Sequence, residues 1–172
     1  RREILDAERR VTQFSQHLTQ NAKMKPDLFP VEKIEKLKAG LLAECRSEYL
    51  KAWFAPRALF EMLYYRRLIR QYEYQDLLRV VLSRAVRSSR LVPHYDLATP
   101  KKPLPVGKEY WCRKHSRMCV PIAECLSKIH AYSEDTARRL KEFDRLRSDK
   151  SAVIFQGDSR ALDLKSELRN TP

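Results

Sequence analysis

Three glycines in 172 residues leave few places where this backbone can turn tightly, and long stretches rich in Leu, Glu, Lys, Arg and Ala run between them. Such stretches favour helix, because straight-chain side chains lose little rotamer freedom there. The expected fold class is therefore mainly α, with a helical unit over residues 1–150 and a single strand with its turn within residues 151–172. This length suits one well-buried domain better than two.

Apolar spacing supports that division. Ile4, Ala7, Val11, Phe14 and Leu18 recur in steps of three and four, which predicts a helix over residues 1–22, broken by the two prolines of the 21–30 segment. Val31, Ile34, Leu37 or Leu41, Cys45, Tyr49 and Trp53 predict one second helix, ended by Ala55-Pro56, since proline fits a first helical turn but not an interior. From Pro56 to Arg90 no further proline or glycine occurs, which predicts two helices meeting near Tyr72 to Tyr74. Residues 91–111 hold four prolines and read as an extended, irregular connection. Helix is expected again over 121–130 and, with Ser133 as N-cap, over 134–147. Ala152-Val-Ile-Phe-Gln followed by Gly157-Asp158-Ser159 reads as a buried strand ending in a turn, the one strand expected in the chain. In open α/β folds the carboxyl end of such a strand faces the ligand.

The formal charge of +13 is concentrated. Residues 64–118 carry 13 Lys and Arg against 4 Asp and Glu, together with six of the eight tyrosines. On a helix over 74–90, Tyr74, Leu77, Leu78, Val81 and Ala85 share one face, and Arg79, Arg84, Arg87 and Arg90 gather on the other. With Lys101 and Lys102 downstream, an arginine face beside aromatic rings suits phosphate contacts and some base or sugar stacking. DNA is the expected partner; the plain alternative is the solvated side of an amphipathic helix. No Ser-His-Asp set, P-loop or HExxH motif stands out, so independent catalysis has little support. No apolar run reaches bilayer length and the first residues lack the apolar core of a signal peptide. A soluble, cytoplasmic protein without a membrane partner is expected.

Cys112, His115 and Cys119 form a C-x2-H-x3-C cluster of two soft thiol ligands and an imidazole, whereas a structural zinc normally takes four ligands. Cys125 is expected inside the following helix, facing the core with Ile122 and Ile129, and His94 or Cys45 as the fourth ligand is conjecture. Ordinary buried thiols are the favoured expectation, zinc the less favoured one.

Three stretches, LLRVVLSRAVRSSRLVPHYDLATPKKP, EYWCRKHSRMCVPIAECL and YSEDTARRLKEFDRLRSDKSAVIFQGDSRALDL, resemble the middle of a group of bacterial and archaeal site-specific DNA methyltransferases. These enzymes modify adenine N6 or cytosine N4 with S-adenosylmethionine as cofactor. The resemblance covers about Trp53 to Leu164. It implies an internal piece of a larger enzyme: a helical insertion, in the position where some such enzymes carry target recognition, followed by one strand of a truncated Rossmann-like methyltransferase sheet. The glycine-rich cofactor loop of that group and its Ser/Asp-Pro-Pro-Tyr tetrapeptide do not occur in these 172 residues. Gly157 and Asp158 match the group's strand end, which implies a carboxylate accepting a hydrogen bond from the cofactor's adenine amino group. The remaining partner implied is the rest of the parent catalytic domain, with the chain inactive by itself. The alternatives from other classes are a stand-alone helical nucleic-acid-binding or adaptor module and a helical bundle that docks on a protein.

Overall fold

The computed structural model describes residues 1–19, 31–95 and 102–148. Six helices and one small hairpin follow in the order α1 (Arg2–Thr19), α2 (Val31–Glu44), α3 (Glu48–Trp53), α4 (Pro56–Ile69), α5 (Gln75–Ser88), β1 (Tyr110–Cys112), β2 (Arg117–Cys119) and α6 (Leu126–Leu146). The mainly helical expectation is met. The strand and turn expected over 151–164 lie outside the described residues, as does the break at 21–30.

The helix α4 is the centre of the packing. Ala58, Leu59, Glu61, Met62, Leu63, Tyr65, Leu68 and Ile69 are all buried on it, too many for one stripe, so it is covered from several sides. It packs against α1, α5, α2 and α3, while α6 closes the other side of α1 and α5. The apolar stripe of α1 is the one the spacing predicts: Ile4, Ala7, Val11 and Phe14 are buried, and Phe14 stacks on Tyr64 of α4 with centroids 4.3 Å apart.

At the centre of these contacts is a carboxylate. Glu61 is fully buried, and both of its oxygens are engaged. Its Oε1 accepts hydrogen bonds from the Ser15 hydroxyl of α1 and from Arg57 Nε at 2.9 Å. Its Oε2 accepts from the backbone N–H groups of Cys125 and Leu126, at 2.6 and 2.8 Å. Those amides begin α6, whose first N–H groups have no partner within the helix, so Glu61 caps α6 across the core. Arg57 also reaches Ser15 at 3.0 Å and Glu124 at 3.2 Å.

Five expectations are corrected. The single helix expected over 31–53 is two, because Cys45 N–H closes back on Leu42 and the Ser47 hydroxyl then accepts from Leu50 N–H as a new N-cap. The two helices expected around Ser133 are one, and Ser133 is no cap: it is fully buried in the middle of α6, which runs on because nothing between His130 and Glu134 breaks it. Cys125 stands at the N-cap of α6 rather than within the helix, although it does face the core beside Ile129. The connection expected to be irregular over 91–111 ends in a strand from Tyr110. Tyr110, Trp111 and Cys112 pair antiparallel with Cys119, Met118 and Arg117, which overturns the expectation of no strand before residue 151. Tyr74, expected on the buried face of α5, is its exposed N-cap residue.

Substituting Glu61 by Ala removes the shared acceptor and leaves the α6 amides of Cys125 and Leu126 without it, while Arg57 keeps Ser15 and Glu124. Denaturant unfolding should report a loss of about 2–4 kcal/mol, since each buried donor left unpaired costs about 1–3 kcal/mol. A second link between α1 and α6 depends on pH. His130 Nδ1 lies 2.7 Å from Glu8 Oε1, and that hydrogen bond holds the imidazole pKa above its ordinary 6.5. A raised value in the folded state means stability that is complete below pH 6.5 and lost as pH rises through the folded value. His130 is more than half exposed, so the effect is small. His130→Ala should lower Tm at pH 5.5–6 and leave it nearly unchanged well above the folded pKa, by about a degree or two at most.

Candidate functional site

Two features gather the chemistry-bearing residues. The first is a groove of about 760 Å³ between α4, α5 and α3. Its floor is apolar, from Leu50, Phe54, Ile69, Leu82 and Val86, and five arginines line it: Arg66 and Arg70 from α4, and Arg79, Arg87 and Arg90 from α5 and the turn after it. Helical spacing explains the convergence. Positions 79, 83, 86, 87 and 90 lie along one side of α5, and 66, 69 and 70 along the facing side of α4. Arg79 is partly neutralised by Asp76 at 2.7 Å. Among the described residues no ion pair joins Arg66, Arg70 or Arg87 to a carboxylate, so the groove carries a net positive charge. Tyr49, half exposed and stacked on Trp53 at 5.2 Å, adds an aromatic ring to the lining.

Of the sequence-designated residues, Arg79, Arg87 and Arg90 thus come together. Arg84 stands apart. It turns toward α6, where it meets Asp135 at 2.8 Å and covers the Tyr132 ring at 4.3 Å. Asp135 also takes Arg138 and Arg139, and the hydrogen bonds from Arg84 first and then Arg139 hold its carboxyl below the ordinary carboxylate range. Lys102 is exposed in the loop before the hairpin. Lys101, Gly157 and Asp158 lie outside the described residues. Arg66 and Arg70 were not singled out from the sequence, because a wheel drawn for α5 alone does not show which α4 side chains share its groove.

The second feature is the hairpin. Residues two apart on a strand point to the same face, so the β1–β2 register puts Tyr110, Cys112, Arg117 and Cys119 on one side and Trp111 with Met118 on the other. The turn between the strands carries His115, whose N–H bonds Cys112 C=O at 3.2 Å, and Ser116 at φ 49°, a left-handed position that tightens the reversal. His115 Nδ1 lies 3.5 Å from both Cys112 Sγ and Cys119 Sγ. His94 completes the cluster from a different part of the chain, with Nδ1 3.3 Å from His115 Nδ1 and 3.8 Å from Cys112 Sγ.

That histidine is held firmly. Leu91 and Val92 are buried just before it, Leu91 N–H bonds Trp53 C=O at 2.9 Å, and His94 N–H donates to the Tyr110 hydroxyl at 2.9 Å. Burial, followed by the positive charges of His115, Lys128, Lys114 and Arg117, keeps its pKa below 6.5. The other two cysteines are elsewhere. Cys45 is in the core, and burial pushes the Cys125 thiol up to about 12, which leaves it an inert core side chain.

No described helix is long and apolar enough to cross a membrane. No family model matches the chain, and no solved structure matches it significantly. Among curated proteins the chain is similar to the type II methyltransferase M.MjaII of Methanocaldococcus jannaschii, with 36% identity over 127 residues. The match takes in 72% of this chain and 24% of the relative, so the chain spans about a quarter of that methyltransferase's length.

Proposed function

We propose that this chain is the DNA-contacting part of an S-adenosylmethionine-dependent, site-specific DNA methyltransferase of the amino-methylating type. The observation that carries the reading is the five-arginine groove between α4 and α5. Guanidiniums lining an apolar floor, with Tyr49 beside them, fit a phosphate backbone with room for a sugar or base to stack. Similarity to part of a type II methyltransferase supplies the enzymatic context. Composition agrees, since much of the net charge of +13 falls in the segment that forms this groove and the hairpin.

In this reading the helical unit holds the duplex, and the chemistry belongs to the rest of a longer protein. Amino-group methylation needs an extruded base in line with the cofactor's methyl group, and the glycine-rich loop and Pro-Pro-Tyr segment that would hold them are not among these 172 residues. The chain by itself is therefore inactive in methyl transfer. Gly157 and Asp158 would stand at the edge of the cofactor's adenine, where a carboxylate can take the exocyclic amino hydrogen.

Salt dependence tests the groove directly. Each phosphate neutralised contributes about 0.9 to the slope of log K against log salt on duplex DNA. The triple variant Arg66→Gln, Arg70→Gln, Arg87→Gln should flatten that slope by about 2 to 3. Arg84→Gln should leave it unchanged while lowering thermal stability, because Arg84 is held by Asp135. An unchanged slope in the triple variant would make the groove merely a solvated surface. In the longer protein, calorimetry should find S-adenosylmethionine binding weakened by about 1.5–3 kcal/mol in Asp158→Ala, the worth of a hydrogen bond to a charged group. Equal affinities would remove Asp158 from the cofactor's edge.

A further inference from the structure

We infer that His94, Cys112, His115 and Cys119 form a structural zinc site that fastens the β1–β2 hairpin to the helical core. The four ligand atoms lie within 4.8 Å of one another. A tetrahedral zinc with Zn–S near 2.3 Å and Zn–N near 2.05 Å requires separations of about 3.4 Å between nitrogens, about 3.6 Å between nitrogen and sulfur and about 3.8 Å between sulfurs. The chain has 3.3 Å between the two Nδ1 atoms, and 3.5, 3.5 and 3.8 Å for its three short N···S pairs. Two thiols and two imidazoles at these separations match the donor set and size of a zinc site.

A second observation points the same way. Between Lys102 and Val120 the only buried residue is Cys112. Each strand is three residues long, and Trp111 and Met118 on the outer face are 59% and 51% exposed. An isolated two-stranded hairpin is marginal in water even when longer, so this one has no apolar core to hold it. Small units of this kind commonly take their stability from a metal, whose binding energy becomes folding energy. The ligands join the parts that packing does not: Cys112, His115 and Cys119 belong to the hairpin, and His94 to the segment anchored by Leu91 and Val92.

Charge also fits. Binding needs both cysteines as thiolates, and two thiolates balance the dication. With four protein ligands, no position is left open for a substrate, which makes the site structural rather than catalytic. The inference does not depend on DNA binding.

The test uses the 172-residue chain purified without chelator from zinc-supplemented medium. Elemental analysis should find about one zinc per chain, and cobalt substitution should give the ligand-field absorption of a tetrahedral thiolate site. Cys119→Ser and His94→Ala should each weaken zinc affinity more than about a hundredfold in a chelator competition, with Cys45→Ala unaffected. Removing zinc should leave the helical circular dichroism largely intact and strip hydrogen-exchange protection from residues 108–120. Since His94→Ala leaves the hairpin sequence untouched, its loss of protection would not be a trivial folding defect of the strands. The inference is overturned by a chain that holds only traces of zinc, by a Cys112–Cys119 disulfide in its place, or by exchange in the hairpin that zinc removal does not alter.

Discussion

A buried carboxylate organises this fold. Burying Glu61 would cost several kcal/mol if its charge were left unpaired, and the cost is met because all of its surroundings donate to it. Ser15 comes from α1, Arg57 from one turn earlier on α4, and the amides of Cys125 and Leu126 from the start of α6. Each donor belongs to an element that must be correctly seated for the bond to form. The carboxylate therefore specifies the relative positions of three helices, which apolar packing alone leaves free to slide. It also sets where α6 begins, and thereby where the chain leaving the hairpin must arrive.

Much of the helical content was legible from local signals. The stripe of α1 has no competing pattern, and Pro56 marks the start of α4 unambiguously. Ser47 and Ser133 show the limit. Both are serines near a change in apolar phase, yet one caps a helix and the other is buried within α6. A serine hydroxyl can serve at an N-cap or turn back into a helix, and what decides is whether a neighbouring helix covers the site. Arg57 and Glu61 likewise read as an ordinary i,i+4 surface pair. Only the arrival of α1 and α6 over that face makes the carboxylate a hub, and no spacing rule along α4 announces that.

The candidate sites follow the same logic. Arg79, Arg87 and Arg90 were visible as a face, but a helical wheel treats Arg84 as their equal, whereas Asp135 draws it to the other side of α5. Arg66 and Arg70 enter through the crossing of α4 against α5, a tertiary fact. The metal-ligand cluster was three-quarters readable, because C-x2-H-x3-C is a local spacing. Its fourth member is 18 residues upstream of Cys112, and only the docking of Leu91 on Trp53 brings it into range.

Groove and cluster meet in one short segment. Over residues 87–94 the chain gives Arg87 and Arg90 to the groove, Leu91 and Val92 to the core, and His94 to the cluster. Leu91 is the pivot: its N–H bonds the carbonyl of Trp53 at the end of α3, and its own carbonyl accepts Leu104 N–H from the loop that leads into the hairpin. Both sites are consequently referenced to the same two buried side chains. The cluster is pre-organised by the core on its His94 side and is ordered by its ligand on the hairpin side, whereas the groove is rigid on both walls because α4 and α5 are core helices. Of the two sites, the hairpin side of the cluster is therefore the part that apolar packing leaves least constrained. The residues it exposes, Trp111 and Met118 on one face and Arg113, Lys114 and Arg117 around the turn, are those whose position a bound metal would fix relative to the arginine groove.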